Sequence, residues 1–186
     1  MNQKVDKRRK SVEKDIINVI RTTQRNNIDL THIADNKANV LLTLNALMIS
    51  IIIPFALSNK AMLLELNLTL PLVILTITNG VTILIATMVL KPGDFKNFKK
   101  YNVDKGELFS PFFFGNFFKM DRTEFGNYFQ DTLRDDENIK KFLCDDLFYI
   151  GKRLGNKMTW IRVAFNIFTA GIVISIISGL WVLFMQ

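Results

Sequence analysis

The sequence has very few of the residues that metal centres, disulfides and most active sites need. Its 186 residues include one cysteine, Cys144, and one histidine, His32. These numbers exclude an internal disulfide and most metal sites, which need several sulfur or nitrogen ligands. The sequence also contains no Walker-type phosphate loop, no Gly-x-Gly-x-x-Gly, no His-Glu-x-x-His and no Cys-x-x-Cys. We therefore expect no metal, no catalytic residue and no enzymatic activity.

Charged residues are missing from three long apolar segments, 38–57, 68–90 and 163–185. About 20 apolar residues in a helix cross a hydrocarbon core of about 30 Å. The chain is 49% hydrophobic with a mean hydropathy of +0.19, which is too apolar for an ordinary soluble domain of this size. The sequence therefore predicts an all-α membrane protein with three transmembrane helices, and the lipid bilayer as its partner.

The remaining segments are predicted to form a helical module beside the membrane. Residues 1–11 are basic and polar, carry no apolar signal segment, and are expected to be a disordered tail. Residues 12–37 have apolar side chains at three- and four-residue steps, which predicts an amphipathic helix. Residues 91–162 hold twelve of the sixteen phenylalanines. In this last segment, helices are expected to start at Asp121 and at Asp135–Asp136, the second continuing into the third span, whereas only a short turn is expected between spans one and two.

The basic residues near the spans are distributed asymmetrically. Twelve lie on one side: Arg21, Arg25, Lys37, Lys91, Lys96, Lys99, Lys100, Lys105, Lys152, Arg153, Lys157 and Arg162. The other side has only Lys60. The positive-inside rule then places the N-terminus and the middle segment in the cytoplasm, and the C-terminus outside, in a multi-pass inner-membrane protein. This topology accounts for the net charge of +7, so no nucleic-acid partner is expected.

Asp35 and Lys37 stand where the first helix enters its span. Two residues apart on a helix, they point about 200° away from each other and cannot pair. Lys37 can reach lipid headgroups, whereas Asp35, with His32 and Asn39 on its own face, should attract a cation from another helix. The two candidates at the same depth on the third helix are Lys157 and Arg162. Such a contact would either fix helix register or form part of a ligand or gating site.

Polar side chains inside the spans are predicted to lie at one level. Asn45, Thr82 and Asn166 each fall about 9 to 12 Å below the predicted cytoplasmic face at the helical rise. Such an intramembrane polar layer would hydrogen-bond between helices or line a pore formed by several copies.

The phenylalanine-rich segment around Phe113 and Phe114 is too apolar to stay in water and too short to span the membrane. Its rings would form a hydrophobic core, or they would stack on a nucleotide base with Arg122, Lys119 or Lys152 near the phosphate.

Four sequence motifs together resemble the transmembrane effector domain of Pycsar bacterial anti-phage systems. They are Asp35-Asn36-Lys37-Ala38-x-x-Leu41-Leu42, Phe112-Phe113-Phe114-Gly115, Tyr149-x-Gly151-x-x-Leu154-x-x-Lys157 and Ile161-Arg162-x-Ala164-x-x-x-Phe168. The resemblance covers about residues 15–185, with Met158 where relatives often carry an aromatic. It implies a membrane effector that is activated during infection by cyclic CMP or cyclic UMP from a partner cyclase, and that then impairs the inner membrane and stops growth.

We therefore predict a homo-oligomeric, cyclic-nucleotide-responsive effector with toxin-like action and abortive infection as the outcome. The candidate ligand-binding or gating residues are Asp35, Lys37, Asn39, Phe113, Phe114, Arg122, Lys152, Lys157 and Arg162. Two alternatives stay open. The chain could be a membrane-anchored module that recruits a protein partner without binding nucleotide, or an effector that responds to a different second messenger.

Overall fold

The computed structural model describes residues 2–91, 110–112, 117–118 and 120–185, with side chains from Lys14 onward. All regular structure in these residues is helical. The helices are α1 (Asn2–Ser58), α2 (Lys60–Glu65), α3 (Thr69–Leu90), α4 (Arg122–Leu133) and α5 (Asp136–Phe184). The predicted all-α class is confirmed. The chain divides into a polar unit, Met1–Leu30 with Pro92–Leu154, and a spanning unit, Thr31–Lys91 with Gly155–Gln186.

Helix α1 is a single helix of 57 residues. It begins at Asn2, whereas the sequence predicts a disordered tail over 1–11. The difference has a local reason, because residues 2–11 contain no glycine or proline and include three Lys, two Arg and one Gln, residue types that favour helix. The amphipathic segment and the first span are therefore two parts of one helix.

The connection between spans one and two is more than the predicted short turn. It contains α2, because Ala61, Met62, Leu63 and Leu64 are good helix formers. After α2 the chain turns at Asn67, whose φ of 51° lies in the left-handed region that asparagine tolerates better than most residues. The Leu68 amide then donates to the Leu63 carbonyl at 3.0 Å, which closes the turn before α3.

The spanning unit packs three helices around small and apolar side chains. Leu41, Ala86 and Ala164, from α1, α3 and α5, form its buried cluster. On α1 the residues Ala34, Ala38, Leu41 and Asn45 are all buried, at alternating four- and three-residue steps. This spacing is typical of helices that pack with their axes at a small angle. Small side chains at the contact let the two backbones approach closely.

The outer faces of the spanning unit are apolar and exposed. Leu47, Ile51, Leu84 and Ile177 are each 60 to 63% exposed. Within the part of the chain that the structure describes, three helices are long and apolar enough to cross a membrane. Since lipid tails accept such side chains and a helix satisfies its own backbone hydrogen bonds, the bilayer is the environment that fits this surface.

In the polar unit, both predicted helix starts are confirmed. Asp121 caps α4 by accepting a hydrogen bond from the Thr123 amide at 3.3 Å. Asp135 accepts one from the Glu137 amide at 3.0 Å at the start of α5. Helix α5 has 49 residues in all and continues without interruption into the third apolar segment, as predicted.

Candidate functional site

An ion pair joins α1 and α5 inside the spanning unit. Lys157 Nζ donates to Asp35 Oδ1 at 2.7 Å, and the two side chains are 30% and 33% exposed. Ala34 and Ala38 on α1 and Ile161 on α5 are buried beside the pair. The predicted contact between Asp35 and a cation of the third helix is thus confirmed, with Lys157 rather than Arg162 as the partner. A partly exposed pair of this kind contributes about 0.2 to 1 kcal/mol to stability.

The other predicted residues near this pair lie on outward faces. Lys37, Asn39 and Arg162 are exposed, as is His32. The exposure of Lys37 agrees with the prediction that it and Asp35 serve different faces. The pair is therefore flanked by basic side chains that solvent or lipid headgroups can reach.

The candidate residues of the polar unit are only partly described. Arg122, the first residue of α4, and Lys152 on α5 are exposed. Phe113 and Phe114 lie outside the described residues, so their role in stacking stays a prediction. The neighbouring rings that are described pack on one another: the ring centroids are 4.8 Å apart for Phe117 and Phe125, and 5.9 Å apart for Phe112 and Phe129. The rings of Phe112 and Phe117 thus pack against Phe125 and Phe129 of α4.

The intramembrane polar layer has a different membership from the one predicted. Asn45 and Thr82 are completely buried, but Asn166 is exposed. Asn166 comes two residues after the buried Ala164, so its side chain points about 200° away from the core face. Its depth is compatible with the layer, but its direction is not.

Asn79 also belongs to the buried polar side chains, although it was not among the residues predicted from the sequence. It is completely buried on α3, and neither Nδ2 nor Oδ1 has a hydrogen-bond partner among the described residues. Asn45 Nδ2 donates to the Leu41 carbonyl at 2.7 Å, whereas its Oδ1 is likewise unpartnered within the described chain. The available signal was that Asn79 precedes Thr82 by three residues, which places both on one helix face.

Within the apolar segments, a hydrogen bond also joins α3 and α5. Ser175 Oγ on α5 donates to the Pro71 carbonyl of α3 at 2.9 Å. The hydroxyls of Thr78 and Thr82 instead donate to carbonyls one turn earlier in their own helix, Ile74 and Thr78. The threonine hydroxyls are therefore satisfied within their own helix, whereas Asn45 is satisfied only at Nδ2 and Asn79 at neither side-chain atom among the described residues.

Among the described residues of the polar unit, Asp146 is a carboxylate whose pKa is shifted. Asp146 Oδ2 accepts a hydrogen bond from Ser110 Oγ at 2.6 Å, well outside the apolar part of α5. Burial raises the pKa of Asp146 above its ordinary value of 3.8, with a smaller contribution from the neighbouring charge of Asp145, while the Ser110 hydrogen bond opposes the shift. The folded protein therefore holds the Asp146 proton more tightly than the unfolded chain does.

We expect Asp146→Asn to leave the protein at least as stable as the wild type at pH 7. A raised pKa gives a stabilisation that is complete below pH 3.8 and is lost as the pH rises through the folded-state value, whereas the neutral amide has no such loss. Thermal unfolding in detergent, compared between pH 4 and 7, measures the difference between wild type and variant. Asp29→Asn is the control, since Asp29 is exposed on α1 and is not among the causes of the shift, so this surface change should stay within about 0.5 kcal/mol at both pH values. A variant that loses stability relative to wild type as the pH rises would contradict the shift.

The arrangement of the helices defines the class of the protein. Three helices of sufficient length and apolarity, joined by a buried seam and covered by lipid-compatible side chains, make it an α-helical multi-pass membrane protein.

A family model described as the Pycsar effector protein domain matches residues 18–184. The match runs from the first part of α1 to the end of α5, and the chain belongs to this family. It is therefore a transmembrane effector of Pycsar anti-phage defence and an inner-membrane protein. No curated protein and no solved structure matches the chain.

Proposed function

We propose that this effector is activated by a cyclic pyrimidine nucleotide, cyclic CMP or cyclic UMP, supplied by a partner cyclase, and that activation rearranges or oligomerises the spans and impairs the inner membrane. Growth arrest or abortive infection would follow. The asymmetry of twelve basic residues against one supports a cytoplasmic N-terminus and polar unit, with the C-terminus in the periplasm or outside the cell.

The observation that carries the proposal is the Asp35–Lys157 pair. Its two residues belong to α1 and α5, and each of these helices runs without a break from the polar unit into an apolar span. A ligand that changes either helix in the polar unit can therefore alter a contact at the level where the spans begin. Exposed Arg122 and Lys152 provide the positive charge that a cyclic phosphate needs.

Calorimetry on the full chain in detergent tests nucleotide activation. We expect binding heat with cyclic CMP or cyclic UMP and none with linear CMP. Arg122→Ala and Lys152→Ala should each weaken binding about tenfold, corresponding to a lost phosphate contact of about 1.4 kcal/mol. Lys140→Ala, another exposed lysine of α5, is the matched control and should leave the affinity unchanged. Heat with cyclic oligonucleotides instead would indicate another second messenger.

The second candidate function is recruitment of a protein partner without nucleotide. It is favoured by apolar side chains of α1 in the polar unit, where Ile17, Val19 and Ile28 are 53 to 64% exposed. Absence of heat with every nucleotide would support this alternative and would contradict the proposal. Co-expression with a pyrimidine cyclase, followed by a membrane-potential dye, gives the cellular readout: depolarisation is expected only when the cyclase is active.

A further inference from the structure

The buried asparagines of the spanning unit have unmet hydrogen-bonding capacity in the membrane interior. Asn79 has an amide donor and a carbonyl acceptor without a partner among the described residues, and Asn45 has one acceptor. Both side chains are completely buried. A polar group removed from water without a partner costs free energy, and buried polar groups in folded proteins are therefore nearly always satisfied by protein or by ordered water.

The packing of the three helices places these two side chains at similar depth. Leu41, Ala86 and Ala164 share one cluster and mark a common level. From that level α1 rises four residues to Asn45, and antiparallel α3 rises seven residues to Asn79, which gives about 6 and about 10 Å at the helical rise. The two positions differ by less than one helical turn in depth. Both face the interior of the same three-helix unit.

The chemistry of the unmet groups selects the ligand. Asn79 needs both a donor and an acceptor, which a cation or an anion alone cannot provide. An ion at this depth would also be uncompensated, because none of the three apolar segments contains Asp, Glu, Lys or Arg. Water is neutral and small, and it can donate and accept at the same time.

We propose that Asn45 and Asn79 form an internal water-binding site within the three-helix spanning unit. The water accepts from Asn79 Nδ2 and donates to the Oδ1 atoms of the two asparagines. The site is therefore built from two of the membrane-spanning helices, α1 and α3. The proposal does not depend on nucleotide activation.

Water-edited solid-state NMR on the full chain in lipid bilayers tests the site. Asn79-Gly80 is the only Asn-Gly pair in the sequence, so selective labelling of that pair assigns Asn79 without a mutation. We expect transfer from water to the Asn79 side-chain amide at least about five times faster than to the backbone amide of Ala86, a buried residue two turns away on the same helix. If the Asn79 side chain shows transfer only from protein protons, the proposal is overturned.

A pair of variants then tests whether the two asparagines share the site. Asn79→Leu should reduce water transfer to the Asn45 side chain at least threefold. Asn166→Leu, which changes an outward-facing asparagine of α5, should leave it unchanged. Water transfer to Asn45 that survives Asn79→Leu would overturn the shared site, and the wild-type measurement on Asn79 decides the question if that variant does not fold.

Discussion

Gly171→Ala is expected to destabilise the spanning unit, whereas Gly179→Ala, two turns later on the same helix, is not. A Cβ added at Gly171 would lie 2.6 Å from the Cβ of Thr78 on α3 and still closer to the other side-chain atoms of that threonine. At Gly179 the nearest atoms, on Pro71, are 3.9 Å away, an ordinary van der Waals distance. We expect Gly171→Ala to cost about 1 to 3 kcal/mol, because α3 and α5 must separate or Thr78 must move.

The comparison separates packing from the intrinsic effect of the substitution. Both changes replace glycine by a better helix former and restrict the unfolded chain, which alone would stabilise by about 0.4 to 1 kcal/mol. Unfolding of the protein in mixed micelles, followed by circular dichroism against SDS fraction, gives both free energies. Thr78→Ala in the Gly171→Ala background should recover part of the loss by removing the outer side-chain atoms of Thr78. Equal stabilities of the two glycine variants would contradict the close approach at Gly171.

Much of the fold could be predicted because it depends on composition and local signals. The three spans follow from long segments without charge, and the starts of α4 and α5 follow from Asp121 and Asp135 as capping residues. These features need no knowledge of neighbouring helices. The connection between spans one and two was predicted less well, since its six-residue helix α2 is too short to show a clear apolar period.

The candidate site was less predictable because depth can be read from sequence but direction depends on the packing partner. Asn166 has the depth of Asn45 and Thr82, yet it faces outward. Lys157 and Arg162 were equivalent candidates for Asp35, but five residues on a helix separate their directions by about 140°, so only one can face α1. The spacing of Asn79 from Thr82 indicates a shared helix face, but its lack of hydrogen-bond partners among the described residues appears only in the folded unit.

Sequence alone could not decide, for a different reason, whether a ligand site includes Arg122, Lys152 and the phenylalanines. An exposed basic side chain has the same sequence signature whether it binds a phosphate, a lipid headgroup or only water. The structure leaves Arg122 and Lys152 exposed, which is compatible with binding but does not select the ligand. The nucleotide affinities of the Arg122→Ala and Lys152→Ala variants therefore test this part of the proposal.

Charge reversal at the Asp35–Lys157 pair is expected to abolish growth arrest, and reversal of both charges to restore it. Asp35→Lys places two ammonium groups where the wild type has a 2.7 Å hydrogen-bonded pair, so α1 and α5 are pushed apart at the start of their spans. Adding Lys157→Asp to the same chain restores an ion pair in which the two charges have exchanged helices. We expect the single variant to lose at least about 90% of the cyclase-dependent killing, and the double variant to regain most of it.

Nucleotide affinity distinguishes transmission from binding in these variants. If the pair transmits a signal from the polar unit, Asp35→Ala should bind cyclic nucleotide with an affinity within about threefold of wild type, a difference below about 0.7 kcal/mol, and still fail to depolarise the membrane. Lys140→Asp is the control, since it reverses an exposed charge on α5 that lies outside both the pair and the candidate site residues. Loss of both binding and killing in Asp35→Ala would place Asp35 in the ligand site, whereas loss of neither would reduce the pair to a structural contact. The small stability contribution of a one-third-exposed pair makes this test informative, because a change of about 1 kcal/mol in stability cannot by itself remove killing from a folded protein whose unfolding costs several times more.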